Sequence, residues 1–224
     1  MAAQSPFRLP AWRDGQTWTY HLARGGKQGF EGRLTYTATR LPDGAWRIEG
    51  VSDYPAGRSL HEWIEIAGDP AHHRAAFFER KNAAGTHRYQ SRQEPDGTLW
   101  IKVETDAGAR EERHPAKRGP VYIGNQLDFL LHGLDLAAGG PWTVPVRVES
   151  GRVLPFEIRI ADRAAILPVE GEQLTATLVT VRAASNPLVK WLAPPVRYWF
   201  HPDDQTMLLR IDHGDSVLTL IEAT

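Results

Sequence analysis

The chain has 224 residues, a formal net charge of −1, 42% hydrophobic and 24% charged residues, and no cysteine. That balance suits a globular protein with a sizeable core and supplies no bulk charge to draw the chain to nucleic acid or an anionic membrane. It excludes disulfides, thiolate nucleophiles and cysteine-ligated zinc or iron–sulfur centres.

The N-terminus, MAAQSPFRLP, has neither a basic n-region nor an apolar h-region, so no signal peptide is expected in it. A strand is predicted in QTWTYHLA from Gln16. In FEGRLTYTATR the residues Phe30, Gly32, Leu34, Tyr36 and Ala38 share one face, and the charged and threonine residues the other, which is the period of a half-buried antiparallel strand. Pro42-Asp43-Gly44 then reads as a hairpin turn, because proline presets φ and glycine accepts a positive φ, and AWRIEGVS is the returning strand. SLHEWIEI from Ser59, HRAAFFERK from His73 and THRYQSRQ from Thr86 continue the alternation. A second Pro-Asp-Gly turn precedes TLWIKVET, and AREERH is polar enough to be an exposed edge.

One segment changes period. NQLDFLLHGLDLA puts Leu127, Leu130, Leu131 and Leu134 at helical spacing, with Asn125 as N-cap, Asp128 in the first turn and Gly139-Gly140-Pro141 as the stop, so a helix is predicted near residues 125–136. Strands resume at TVPVRVES, VLPFEIRIA, LTATLVTVRA, VRYWFHP, TMLLRID and SVLTLIEA, with His213-Gly214-Asp215 turning between the last two. The expected fold class is mainly β: one strongly curved antiparallel sheet with one short amphipathic helix. No repeat or long linker divides the chain, so residues 1–224 are expected to form a single β-rich domain.

Three clusters raise the question of chemistry. His201, Asp203 and Asp204 fall in YWFHPDDQ, where Pro-Asp-Asp is ordinary turn composition. His72-His73 are adjacent, a poor chelate on a strand; a loop is expected there and no metal site. HEWIE places His61, Trp63 and Glu65 on one strand face and Glu62 and Ile64 on the other. If the Ile64 face is the core, Glu62 is half-buried with a raised pKa; if the Trp63 face lines a cavity, His61 and Glu65 flank an aromatic platform suited to a sugar or to acid–base work. A salt-bridged outer face is the alternative. No nucleophile elbow, zinc-protease, P-loop or dinucleotide motif occurs, and no cofactor is expected.

The stretch YWFHPDDQTMLLRID, together with the leucine-rich segment before it and SVLTLIEA after it, resembles an uncharacterised family of bacterial envelope β-proteins, with Leu208-Leu209 where that family usually has Pro-Val. The likeness is clear over roughly residues 120–224 and looser before. It implies a fold like that of the periplasmic lipoprotein carriers, an unclosed barrel with a helix inside or across its mouth. It implies a periplasmic or secreted location, for a chain trimmed of its export signal, and it supplies no catalytic residues. Three classes of function then stand. The first is a module binding an apolar or amphipathic ligand on the concave face, walled by Trp46, Trp63, Trp100, Trp199 and the four leucines. The second is an envelope hydrolase acting on a glycan or lipid through His61, Glu62 or Glu65. The third is a structural or assembly factor with no small ligand.

Overall fold

The alternating runs become fifteen strands among the residues that the computed structural model describes, namely 6–25, 29–55, 57–68, 71–115, 121–124, 127–148, 151–169, 172–184 and 194–224. The first eight are β1 (Thr17–Arg24), β2 (Phe30–Arg40), β3 (Trp46–Asp53), β4 (Ser59–Ala67), β5 (His72–Asn82), β6 (Gly85–Gln93), β7 (Leu99–Thr105) and β8 (Gly108–His114). After β9 (Tyr122–Ile123) and a short helix α1 (Leu127–Leu130) come β10 (Trp142–Arg147), β11 (Val153–Val169), β12 (Glu172–Ala183), β13 (Val196–Phe200), β14 (Leu208–Asp212) and β15 (Ser216–Ala223). They form one sheet in the order β8-β7-β6-β5-β4-β3-β2-β1-β15-β14-β13-β12-β11-β10-β9. Every pairing is antiparallel except β9 with β10. Both Pro-Asp-Gly turns close as expected, with Gly44 at φ 84° and Gly97 at φ 81°.

Among the described residues no backbone ladder joins the two ends of the sheet; they overlap. On β9, Tyr122 enters the main core, while its neighbour Ile123 packs with Tyr89, Leu99, Ile101 and Val103, which are inward-facing residues of β6 and β7. On β10, Val146 enters the main core while Arg147, on the opposite face, meets Glu112 of β8. The β9–β10 edge therefore lies inside the β6–β8 edge, and the sheet winds past its own beginning. Adjacent strand residues point to opposite faces, so in the overlap both faces of the inner strands are buried.

One end of this winding is filled by the chain itself. Phe7 and Trp12, ahead of β1, are buried beside Trp18, Trp46 and the leucines Leu127, Leu130, Leu131 and Leu134. The predicted helix is shorter than its leucine spacing suggests. Among the described residues only 127–130 is α-helical; Leu131–Gly133 tightens to a 3-10 turn, and a second 3-10 turn spans Leu136–Ala138. A tertiary contact stops it from running on past Gly133. The Arg8 N–H donates to the Gly133 carbonyl at 2.7 Å, and a side chain at Gly133 would strike the Arg8 backbone. The N-terminal segment thus takes backbone groups that a longer helix would use itself. Asp128 stands in the first turn of α1, as expected, and its carboxylate turns to β13, where the Tyr198 hydroxyl meets it; the expected cap, Asn125, lies outside the described residues.

Two further expectations change. The strand expected from His73 begins one residue earlier, so His72 and His73 both lie on β5 where the pair was expected to loop. His73 faces the core with neither ring nitrogen hydrogen-bonded, and burial drives its pKa down to about 3, so the ring stays neutral. His73→Leu is expected to stabilise the chain by about 1–2 kcal/mol, because a buried unsatisfied polar ring costs about that much. Denaturant melts at neutral pH check this, and a loss of stability would refute it. Strand β11 also runs on to Val169, well past the expected run. Its extension pairs with the start of β12 and packs Leu167 and Ala176 over Leu209 and Trp199 on the outer face.

Candidate functional site

The inward face of the sheet carries a row of cross-strand partners, one per strand: Tyr36, Gly50, Glu62, Phe78, Tyr89, Val103 and Arg110. It leads from a buried acidic centre to an open cavity. At Gly50 a side chain would collide with the Tyr36 ring, so the glycine is what lets that ring lie across β3 and reach β4. The Tyr36 hydroxyl donates to Glu62 Oε1 at 2.6 Å. From the other side of the winding the Tyr198 hydroxyl donates to Asp128 Oδ1 at 2.6 Å. Burial raises the Glu62 pKa to about 7; the Tyr36 hydrogen bond opposes this and the nearby Asp128 adds to it. Burial raises Asp128 as well, against His213 and the Tyr198 hydroxyl, which pull it down. Tyr20, Tyr36, Tyr54 and Tyr198 are all pushed above the usual tyrosine value, first by burial and then by these carboxylates. A cavity of about 30 Å³, the size of a water site, lies between Tyr20, Tyr36, Asp128 and His132.

Beyond this centre the winding is open at the end opposite the N-terminal segment. One cavity, of about 420 Å³, lies in the overlap. Phe78, Arg80, Tyr89, Val103 and Arg110 of the outer layer face Ile123 and Arg147 of the inner layer. A second, of about 590 Å³, is bounded by Arg24, Phe30, Tyr54, Arg58, Arg80 and Lys81 among others. They adjoin at Arg80, which lines both. Their sizes are those of small-molecule sites. Arg58 stacks over the Phe30 ring at 4.5 Å, and Arg24 reaches Asp215 at 3.5 Å.

The residues singled out from the sequence fall elsewhere. Glu62 does face the core beside Ile64 and Ile66, as the first alternative for HEWIE requires. His61 and Glu65 point outward, because strand alternation sends them to the other face. His61 Nε2 lies 2.8 Å from Glu49, and Glu65 binds Arg47 at 2.6 Å and Arg74 at 2.7 Å. Burial alone would raise Glu65, but the two arginines hold it below the usual carboxylate range. The three candidates do not converge on one site, and the salt-bridged outer face is what the structure has.

The tryptophans separate in the same way. Trp46 is buried with Trp12, ring centres 5.9 Å apart. Trp63, Trp100 and Trp199 lie on the outer face under Arg47, Arg92 and Arg210, at 4.7, 4.5 and 5.6 Å. The four leucines are core. None of these eight residues lines either open cavity.

His201, Asp203 and Asp204 form the turn between β13 and β14. His201 N–H donates to the Met207 carbonyl at 2.9 Å, and Asp204 Oδ1 accepts from Thr206 N–H at 2.9 Å. The turn also anchors the 3-10 segment, since Gln205 Nε2 donates to the Leu134 carbonyl at 2.6 Å. The cavity residues Arg80, Arg110 and Arg147 were not singled out from the sequence. The available signal was an arginine at an inward-facing position of an otherwise apolar alternation, as at Arg80 after Ala76 and Phe78.

No family model matches the chain, and no curated protein does. Among solved structures, the chain is similar to a β-barrel-like protein of domain of unknown function DUF1849 from Brucella abortus. The TM-score is 0.58 at 12% identity, over 96% of this chain and 98% of that one. The likeness is one of fold: a mainly β, barrel-like architecture, the fold class expected from the sequence.

Proposed function

We propose that the chain is a non-catalytic binding protein of the cell envelope that holds an amphipathic small molecule at the open end of its wound sheet. The observation that carries this reading is the pair of cavities, about 420 and 590 Å³, that adjoin at Arg80 while the opposite end is filled by Phe7, Trp12 and the leucines. Their walls combine aromatic and aliphatic side chains with a few charged ones, which is the composition of sites that bind small organic molecules. The hydrolase alternative lacks its constellation, because Glu62 is separated by the strand from His61 and Glu65. The envelope setting rests on the resemblance of the C-terminal half.

The test uses a neutral apolar dye, N-phenyl-1-naphthylamine. Its emission is expected to rise on binding and to fall as a dodecyl-chain detergent displaces it, and the detergent is expected to raise the melting temperature with concentration. Phe78→Ser, at the junction of the acidic centre and the overlap cavity, should weaken dye binding by about tenfold, since it removes an aromatic wall. Tryptophan emission is a poor reporter here, because no tryptophan lines either cavity. No dye enhancement and no thermal shift with any detergent would leave the structural-factor alternative.

A further inference from the structure

The overlap cavity has a charge imbalance of its own. Arg147 is 5% exposed, held between the two layers of the sheet. Its Nη2 donates to Glu112 at 2.9 Å and its guanidinium lies 5.6 Å from the centre of the Tyr89 ring, but its Nε is buried with no hydrogen-bond partner. Glu112 is already shared. Arg110 reaches it at 3.2 Å and His114 at 3.1 Å. Arg80 has no carboxylate partner among the described residues. Three guanidinium groups on β5, β8 and β10 therefore border one cavity with a single carboxylate between them, and no aspartate or glutamate is among the described residues that line it. A buried charge with an unmade hydrogen bond is costly. Arg80, Arg110 and Arg147 all line this cavity, and an anion entering it would receive the planar, forked hydrogen bonds at which arginine excels. Beside the arginines the wall is apolar, formed by Phe78, Tyr89, Val103 and Ile123.

We propose that this crevice is a binding site for a single-chain amphipathic anion, an alkyl or acyl chain ending in a phosphate or carboxylate. The head group is held by Arg80, Arg110 and Arg147, and the chain lies along Phe78, Val103 and Ile123. The proposal rests on the binding reading above and names the ligand class of that site.

Calorimetric titration below the critical micelle concentration tests it with four probes: monododecyl phosphate, laurate, dodecyl maltoside and inorganic phosphate. The two anionic amphiphiles should bind at least about tenfold more tightly than the maltoside, the scale of a charge-assisted hydrogen bond. Inorganic phosphate, without a chain, should bind more weakly than dodecyl phosphate. The preference should fall as salt is raised. Because Arg147 is buried and its replacement risks the fold, the deciding variant is Arg80→Gln combined with Arg110→Gln, both exposed positions. It should bring both anionic amphiphiles down to the affinity that the same variant shows for the maltoside, and the outer-face control Arg33→Gln should bind as the parent does.

Equal affinity for all three amphiphiles would overturn the anion site and leave the binding reading standing. Inorganic phosphate binding as tightly as dodecyl phosphate would overturn it too, since the apolar wall would then contribute nothing. No binding of any probe would overturn both readings.

Discussion

Trp12→Ala is expected to cost about 3–5 kcal/mol of unfolding free energy, the range for removing a large buried aromatic side chain. Trp12 belongs to no strand, so its contribution is entirely tertiary. It is 5% exposed, with edge-on contacts to Trp18 at 5.7 Å, Trp46 at 5.9 Å and His132 at 5.3 Å. The Trp12 indole N–H also lies 3.4 Å from His132 Nδ1, a nitrogen that is 3.1 Å from the Thr206 carbonyl. Removing the indole leaves a void beside a buried imidazole whose pKa burial has already driven down to about 4. It also releases the segment that brings Phe7 into the core. Domains of this kind have a total stability of about 5–15 kcal/mol, so the loss is a large share of it. Urea melts measure it through the midpoint. A loss below about 1 kcal/mol would mean that the N-terminal segment undocks without the sheet noticing, and the filled end of the winding would not be part of the cooperative core.

The second large effect is a pH dependence that Glu62 imposes. In the folded chain Glu62 keeps its proton up to about pH 7, whereas in the unfolded chain it releases it near 4.5. The protonated carboxyl's contribution is therefore fully present below pH 4.5 and is lost as pH rises through 7. Over that window the linkage amounts to about 3 kcal/mol. His73 and His132 act with the opposite sign. They stay neutral in the fold down to about pH 3 and 4 and are protonated in the unfolded chain below 6.5, so they remove stability as pH falls from 6.5. The net curve mixes these terms, with Asp128, Tyr36 and Tyr54 facing Glu62 inside the winding.

Glu62→Gln separates them. Glutamine keeps the shape and the acceptor for the Tyr36 hydroxyl but does not ionise. The variant's stability relative to the parent should rise by about 3 kcal/mol between pH 4.5 and 7 and stay level above, with the variant the more stable at pH 8. Parallel curves for the two proteins across that range would show that the carboxyl titrates as it does in water and is not enclosed.

Much of the architecture is written locally. Alternation placed Phe30, Gly32, Leu34, Tyr36 and Ala38 on one face, and these are the inward residues of β2; Pro-Asp-Gly placed two of the hairpins; and the Ile64–Ile66 pattern put Glu62 on the inner face of β4. Strand geometry is the reason: the side-chain period of two assigns each residue to a face without reference to any other strand. Other decisions were not local. A tryptophan on a strand does not say which face is concave, and Trp63, Trp100 and Trp199 proved to lie outside, under arginines from neighbouring strands. Leucine spacing set a helical period, but among the described residues the α-helix ends at Leu130 and passes into a 3-10 turn whose last carbonyl, that of Gly133, is taken by the distant Arg8. The overlap of the sheet ends was invisible from the sequence, and with it the burial of Arg147 and the cavity that Arg147 shares with Arg80 and Arg110. Alternation predicts that one face of a strand is buried and the other wet; where the sheet winds inside itself both faces are buried, and only the twist and pairing accumulated over fifteen strands decide which residues meet there.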